Sequence, residues 1–231
     1  MRMLRYFLLS SALLFLPLTA KSQEKRGNAP EEKKSIDFSF RSISVSADLF
    51  GLAYSLLDDY TSSEVAIEAN FGNRIYPTVE AGYGWCDATD ETNGIRYKTS
   101  APYYRVGLNY NFSTSKENPN PNYSIFAIGR FAWSSCEYDV VTPPVIDPVW
   151  GGGAALDLKG VEGSATWAEV GVGIRMKITK NFHMGWTIRY KARISQEKGP
   201  NSQMWYIPGY GTNQSTCFGG TYNLIFEIPF K

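Results

Sequence analysis

The sequence predicts an all-β protein, an up-and-down antiparallel transmembrane β-barrel of about eight strands. Three observations lead there: apolar and polar residues alternate with period two through most of the chain after residue 40, no run of 18 apolar residues occurs there, and long and shorter connections take turns between the alternating segments. Period two sends successive side chains to opposite faces of a strand, so each segment has one apolar and one polar face.

The chain opens with basic Arg2 and Arg5, an apolar run from Tyr6 through Leu18, and small residues at Ala20 and Ser22. This is the pattern of a secretory signal peptide over 1–22, with Gln23 as the first mature residue. The run is shorter than the ~20 apolar residues of a spanning helix. The three cysteines, Cys86, Cys136 and Cys217, lie far from the cut, so no lipid-modified N-terminus is expected. Residues 23–39 mix Glu24, Glu31 and Glu32 with lysines and little apolar material, which reads as a flexible periplasmic tail. Residues 40–231 then form the barrel.

In the first strand Ile43, Val45, Ala47 and Leu49 oppose Ser42, Ser44, Ser46 and Asp48; in the second Val65, Ile67, Ala69 and Phe71 oppose Glu64, Glu68 and Asn70. The third sets Val79, Ala81, Tyr83 and Trp85 against Thr78, Glu80, Gly82 and Gly84, and the fourth sets Tyr104, Val106, Leu108, Tyr110 and Phe112 against Tyr103, Arg105, Gly107, Asn109 and Asn111. The fifth, 123–136, is less clean, because Phe126 and Ile128 share the face of Arg130 and Ser134. The sixth alternates from Thr166 to Ile178 against Glu169, Arg175 and Lys177, and the seventh from Phe182 to Ile194 against His183, Arg189, Lys191 and Arg193. The eighth ends the chain with Tyr222, Leu224, Phe226, Ile228 and Phe230 on one face. Strands of roughly 10 residues suffice to cross a bilayer at barrel tilt.

Tight turns at 72–74 and 179–181 and a medium link at 113–122 fall on one side, and the long links 86–102, 137–165 and 196–214 on the other. A soluble sandwich gives no reason for that regularity, whereas an outer-membrane barrel has short periplasmic turns and longer outer loops. The composition agrees. Charged residues make up 19% of 231 residues, below the roughly 25% of soluble domains, and aromatics make up 15%. Trp85, Tyr110, Phe112, Phe182, Trp186, Tyr222 and Phe230 fall on the lipid-facing side, where aromatic girdles belong. A formal charge of +1 gives no field for a nucleic-acid partner. Loss of 1–22 removes Arg2, Arg5 and Lys21 and leaves 20 basic against 22 acidic residues, so the mature chain is nearly neutral.

The signal segment, the alternating strands and the C-terminal run from Tyr222 to Phe230 resemble the small outer-membrane β-barrels of Gram-negative bacteria. Gly219, Tyr222 and Leu224 match the glycine, aromatic and hydrophobic positions of the assembly signal in that superfamily, with Phe230 penultimate instead of last. The stretch from Glu68 to Gly84 is similar to uncharacterised barrel proteins of the Bacteroidota. The resemblance implies outer-membrane lipid and, through the last strand, the barrel-assembly machinery as partners. It implies no established activity.

The candidate site is the inward face. Glu80, Arg105, Glu169, Arg175, Arg189 and Arg193 are expected to form a lumenal charge network, since an eight-stranded barrel is filled by its side chains and buried charges must be paired. A narrow anion pore or ligand-binding barrel is the alternative use of the same bases, and a soluble periplasmic lipocalin-like binder is the alternative architecture. Glycines 82, 84, 107, 171, 173 and 185 make room for the long inward side chains. The single histidine, His183, falls beside the 179–181 turn facing inward, away from the outer-leaflet depth that lipid A acyl chemistry requires, and reads as a hydrogen-bonded filler. Cys86, Cys136 and Cys217 read as small inward thiols near the outer strand ends, and Gly151-Gly152-Gly153 as loop without phosphate-loop context. No catalytic residue, cofactor or metal site is expected. Tyr97, Tyr138, Trp150, Trp205, Tyr206 and Tyr210 in the long loops are recognition candidates for an extracellular glycan, lipid or protein, or alternatively a cap over the barrel mouth. The reading is therefore a non-enzymatic outer-membrane barrel, reached by secretion through the inner membrane, with a filled interior and a structural or surface-interaction role.

Overall fold

A computed structural model describes residues 38–54, 60–114, 122–146, 151, 153–197, 199 and 202–230. The expected signal segment 1–22 and the tail as far as residue 37 lie outside the described residues, as does Trp150. Eight long strands form one closed antiparallel barrel: β1 (Phe40–Asp48), β2 (Tyr60–Phe71), β3 (Ile75–Thr89), β4 (Arg96–Asn111), β5 (Tyr123–Val141), β6 (Asp157–Lys177), β7 (Phe182–Gln196) and β8 (Thr216–Pro229). Each pairs with its neighbour in sequence, and β8 pairs with β1 to close the ring. A short helix, α1 (Leu49–Tyr54), follows β1. Two-residue ribbons join Val145–Ile146 to Gly153–Ala154 and Tyr206–Ile207 to Gly211–Thr212.

The alternation translates directly into burial. In β4 Tyr103, Arg105, Asn109 and Asn111 are buried, while Tyr104, Val106 and Leu108 are exposed on the outside. The same holds around the ring, with Val65, Val79, Phe131, Val172, Ile188 and Phe226 exposed and Glu64, Glu80, Arg130, Glu169, Arg189 and Thr221 buried. The interior is thus the polar face and the exterior the apolar one, the inverse of a soluble barrel. The irregularity of β5 has a physical cause. Phe126 and Ile128 point inward and pack with Tyr76 in a small apolar layer, the Phe126 and Tyr76 rings meeting edge-on at 5.3 Å, and the Arg175 guanidinium lies 4.8 Å from the Phe126 centroid.

The 72–74 turn is tight because Gly72 and Asn73 both take φ of 58°, the left-handed pair that suits a two-residue hairpin, and Asn73 N–H donates to Asn70 Oδ1 at 2.9 Å. At the opposite end the strands outrun the expectation. The 86–102 link is mostly strand, since β3 and β4 pair as far as Thr89 with Arg96, and β5 and β6 pair out to Val141 with Asp157 across much of 137–165. Inward Tyr97 and Tyr138 explain the extension: their rings stack at 5.7 Å inside a buried apolar cluster that continues the core above the charges. Within the 196–214 link, residues 202–214 turn back into the mouth, burying Met204, Tyr206, Ile207 and Tyr210.

Several inward glycines are spacers, and what they admit is more varied than long charged side chains. Gly107 and Gly171 give way to Arg130 and Arg189, whereas Gly82 admits the Tyr103 ring and Gly84 admits Pro208 of the inserted segment. Gly173 instead faces Ile128 and Thr187, and Gly185 faces Ile225. A side chain at Gly171 would strike the Ile188 carbonyl and stand 3.0 Å from Arg189 Cα, both backbone atoms that cannot swing aside. Gly171→Val is therefore expected to destabilise the barrel by about 1–3 kcal/mol or more through overpacking. A lowered denaturant midpoint checks it, and an unchanged midpoint would refute the spacer role.

Candidate functional site

The strand faces bring charges from β2, β3, β4, β5, β6 and β7 to one level of the lumen. Glu80 Oε2 lies 3.2 Å from Arg105 Nη1 and 3.0 Å from Arg189 Nη1, and its Oε1 lies 2.9 Å from Arg130 Nε. Glu64 pairs with Arg105, with Arg189 Nη2 at 2.5 Å, and accepts from the Tyr103 hydroxyl at 3.1 Å. Glu169 lies 2.9 Å from Arg105 Nε and 3.3 Å from Arg189 Nη1, and accepts from Trp167 Nε1 at 2.7 Å. Three carboxylates and three guanidiniums thus neutralise one another, with Arg105 and Glu169 each 1% exposed. At such burial each charge needs this partnership to offset lost hydration.

The ladder runs on toward the turn end. Arg130 Nη2 donates to Asn109 Oδ1 at 2.8 Å, Asn109 Nδ2 donates to Glu68 Oε1 at 2.8 Å, and Glu68 Oε2 meets Arg175 Nη2 at 2.5 Å. Below it His183 Nε2 lies 2.9 Å from Glu227 Oε2, and Ser42 hydroxyl donates to Glu227. His183 thus sits at the turn end, as its sequence position suggests. Toward the mouth, Arg105 Nη2 and Lys191 Nζ both donate to the Gly209 carbonyl, at 2.9 and 2.8 Å, and Lys191 also donates to the Tyr210 carbonyl at 3.1 Å. The 202–214 segment is thereby tied to the charge cluster through its backbone.

Of the expected network, Glu80, Arg105, Glu169 and Arg189 come together, and Arg175 reaches them only through Glu68, Asn109 and Arg130. Arg193 does not join. It lies two residues nearer the mouth than Lys191, roughly 6.6 Å along the strand, beside a register shift between Thr166 and Trp167, and its buried Nη1 has no hydrogen-bond partner. Glu64 and Arg130 complete the cluster, and their inward parity was the signal. Lys191 and Gly209 were not legible as a pair, because nothing local says that the link between β7 and β8 folds back into the lumen to meet β7.

The loop aromatics require a correction. Tyr97, Tyr138, Tyr206 and Tyr210 are 5%, 1%, 3% and 2% exposed, so they form the inner cap of the barrel and offer no open binding face. Their apolar rings drive this, with hydroxyls satisfied internally: Tyr97 donates to the Tyr206 carbonyl at 3.0 Å and Tyr210 to the Gln214 carbonyl at 2.9 Å. Trp205 alone of the described candidates is exposed, at 46%. Cys136 Sγ contacts Met204 Sδ at 3.5 Å and Cys217 Sγ contacts the Tyr210 carbonyl at 3.2 Å, packing roles in the same cap. Among the described residues no group of three or more His, Cys, Asp and Glu is arranged to hold a metal ion.

Arg189 contacts all three central carboxylates, so Arg189→Leu leaves them with two guanidiniums. The expected cost is about 3–5 kcal/mol of stability, read as a lower unfolding midpoint. Glu80→Leu in the same chain should return part of that loss, since it removes an uncompensated charge. Strict additivity of the two changes would show that the cluster does not act as a unit.

Three of the solved structures similar to this chain are outer-membrane or surface proteins. A major outer membrane protein from Thermus thermophilus aligns at 10% identity over 82% of this chain and 98% of its own, with a TM-score of 0.48. Ail, the attachment invasion locus protein of Yersinia pestis, aligns at 11% identity over 81% and 97%, with a TM-score of 0.40, and Neisserial surface protein A at 11% over 83% and 96%, with 0.38. No curated protein matches. Residues 3–231 match a family described as a domain of unknown function, DUF6048, and the chain belongs to that family.

Proposed function

We propose that the protein is a non-enzymatic barrel of the outer membrane, with a filled, ion-paired interior and a structural or surface-interaction role. The observation that carries this reading is the apolar belt. On the outside of β4 Pro102, Tyr104, Val106, Leu108, Tyr110 and Phe112 follow one another without a charge, and beyond Ser100 come Lys98 and Arg96, with Asp87 facing them on β3. Ten residues of strand rise about 34 Å, or about 26 Å along the axis at a typical ~40° tilt, close to the ~25 Å apolar band of outer-membrane barrels. Aromatics sit toward its edges. Phe40 contacts Phe71 and Phe230 near the turn end, and Tyr104 with Trp133 and Tyr190 with Phe218 pair toward the mouth. A lipocalin-like binder needs the opposite distribution, with an apolar interior and a polar outside.

The filled interior argues against an anion pore. The space bounded by Glu64, Glu80, Arg130 and Arg189 is about 40 Å³, and the 202–214 segment covers it from the mouth. Passage would require breaking the ion pairs as well as displacing the cap. Contacts with the surroundings then fall to the outer rim, where Trp205 and the β3–β4 and β5–β6 extensions project. Barrel assembly through the last strand, with Gly219, Tyr222 and Leu224, is part of the same proposal.

Fractionation tests it directly: the mature protein should remain with outer membranes after salt and carbonate washes and be released by detergent, and recovery in the soluble periplasm refutes the reading. Val172→Arg, mid-belt and outward, should cost about 2–4 kcal/mol in lipid, an effect absent if that face meets water. In planar bilayers the protein should show no steady conductance even when 202–214 is replaced by a Gly/Ser turn, and ohmic current through the unaltered barrel would favour the pore.

A further inference from the structure

The lumen is built unevenly at mid-height. β2 to β5 send in Glu64, Glu68, Glu80, Asn109 and Arg130, whereas β1, β6, β7 and β8 contribute, besides Arg175 and Arg189, mostly short side chains or none: Ser46, Gly173, Gly185, Thr187, Thr221 and Asn223. Between the two sides lies the chamber of about 40 Å³ that the central charges bound, and every residue lining it belongs to one of the eight strands. Phe126, Ile128 and Ile225 give it one apolar side, and the remaining walls are polar.

Those polar walls have hydrogen-bonding capacity to spare. The Ser46 hydroxyl makes no hydrogen bond among the described residues. Asn223 Nδ2 donates to Thr221 Oγ1 at 3.0 Å, and Thr221 shares a second hydrogen bond with Thr187 at 2.6 Å, but Asn223 Oδ1 accepts from no described group. Arg189, on the same wall, keeps a buried Nε–H without a partner. Buried polar groups are satisfied by protein or by ordered water, and a water needs two to four such neighbours. The position of Ser46 gives this spare capacity a structural meaning. β1 is the shortest strand of the ring, at nine residues, and its inward serines do not reach the central cluster: Ser42 turns to Glu227, and Ser44 Oγ is buried without a partner. No direct hydrogen bond therefore ties the inward serines of β1 to Glu64, Glu80 or Glu169 among the described residues.

We propose that the chamber is an internal hydration site, in which about three water molecules, at ~10–15 Å³ each, bridge Ser46 and Asn223 to the carboxylates and guanidiniums of the ladder. Solvent then joins the first strand to the charges that hold the other strands in register. The inference stands on the lumen alone and is independent of the membrane reading.

Water-selective NOE spectroscopy of the full protein in deuterated detergent micelles tests it. Cross-peaks at the water frequency are expected on the α-protons of Gly173 and Gly185, with the opposite NOE and ROE signs of long-held water. Ser46→Thr and Ser46→Val place the same shape in the chamber with and without a hydroxyl. The valine variant should weaken or lose the cross-peaks and unfold at a lower denaturant midpoint than the threonine variant, because the bridge loses its anchor on β1. A dry chamber reverses that order, since the methyl then fills an apolar cavity. Absent cross-peaks in the unaltered protein, or a valine midpoint equal to or above that of threonine, overturns the site. Should neither variant fold, the spectrum of the unaltered protein decides.

Discussion

Charge buried in a narrow ring governs this molecule. At the centre of the eight-stranded ring Glu64, Glu80, Glu169, Arg105, Arg130 and Arg189 are buried, so each has lost hydration and recovers it from its neighbours. Glu64, Glu80 and Glu169 do so by sharing Arg105, Arg130 and Arg189, contributed by six different strands. The arrangement fixes register across these six strands, because a slip of one residue in any of them would turn its charge to the outside and leave its partners buried without compensation.

The same parity dresses the exterior. Each residue between two inward charges is an outward one, so the spacing that assembles the ladder also sets Val, Ile and aromatic side chains on the wall. Interior and exterior are two readings of one period. The inward glycines complete the fit, since the crowding around Arg130 and Arg189 is relieved at Gly107 and Gly171 by the absence of a side chain on the facing strand. Polar networks of this type hold a unique structure only when every member finds a partner, and the chain of contacts from Gly209 through Arg105, Glu80, Arg130 and Asn109 to Glu68 comes close to meeting that requirement.

The two ends of the barrel differ in kind. At the turn end Asn, Ser, His and Glu side chains close the interior with hydrogen bonds. At the mouth an apolar layer of Tyr97, Tyr103, Tyr138 and Trp167 receives Met204, Ile207 and Tyr210 from the inserted segment. Beside this cap Lys191 holds the inserted segment by the carbonyls of Gly209 and Tyr210.

What the sequence by itself determined was the period-two pattern and everything that follows from parity: the eight strands, the polar lumen, the inward positions of Glu80, Arg105, Glu169 and Arg189, and the apolar exterior. Parity is a local property, readable along a single strand. Strand length at the mouth was not readable, because β3, β4, β5 and β6 continue past the belt on the strength of aromatic contacts with one another and with the inserted 202–214 segment. Burial of Tyr97, Tyr138, Tyr206 and Tyr210, the exclusion of Arg193 from the charge cluster, and the early exit of β1 were decided only by the tertiary structure. Each depends on height within the closed ring and on which distant segment arrives at that height, quantities set by strand register and closure that no single stretch of sequence carries.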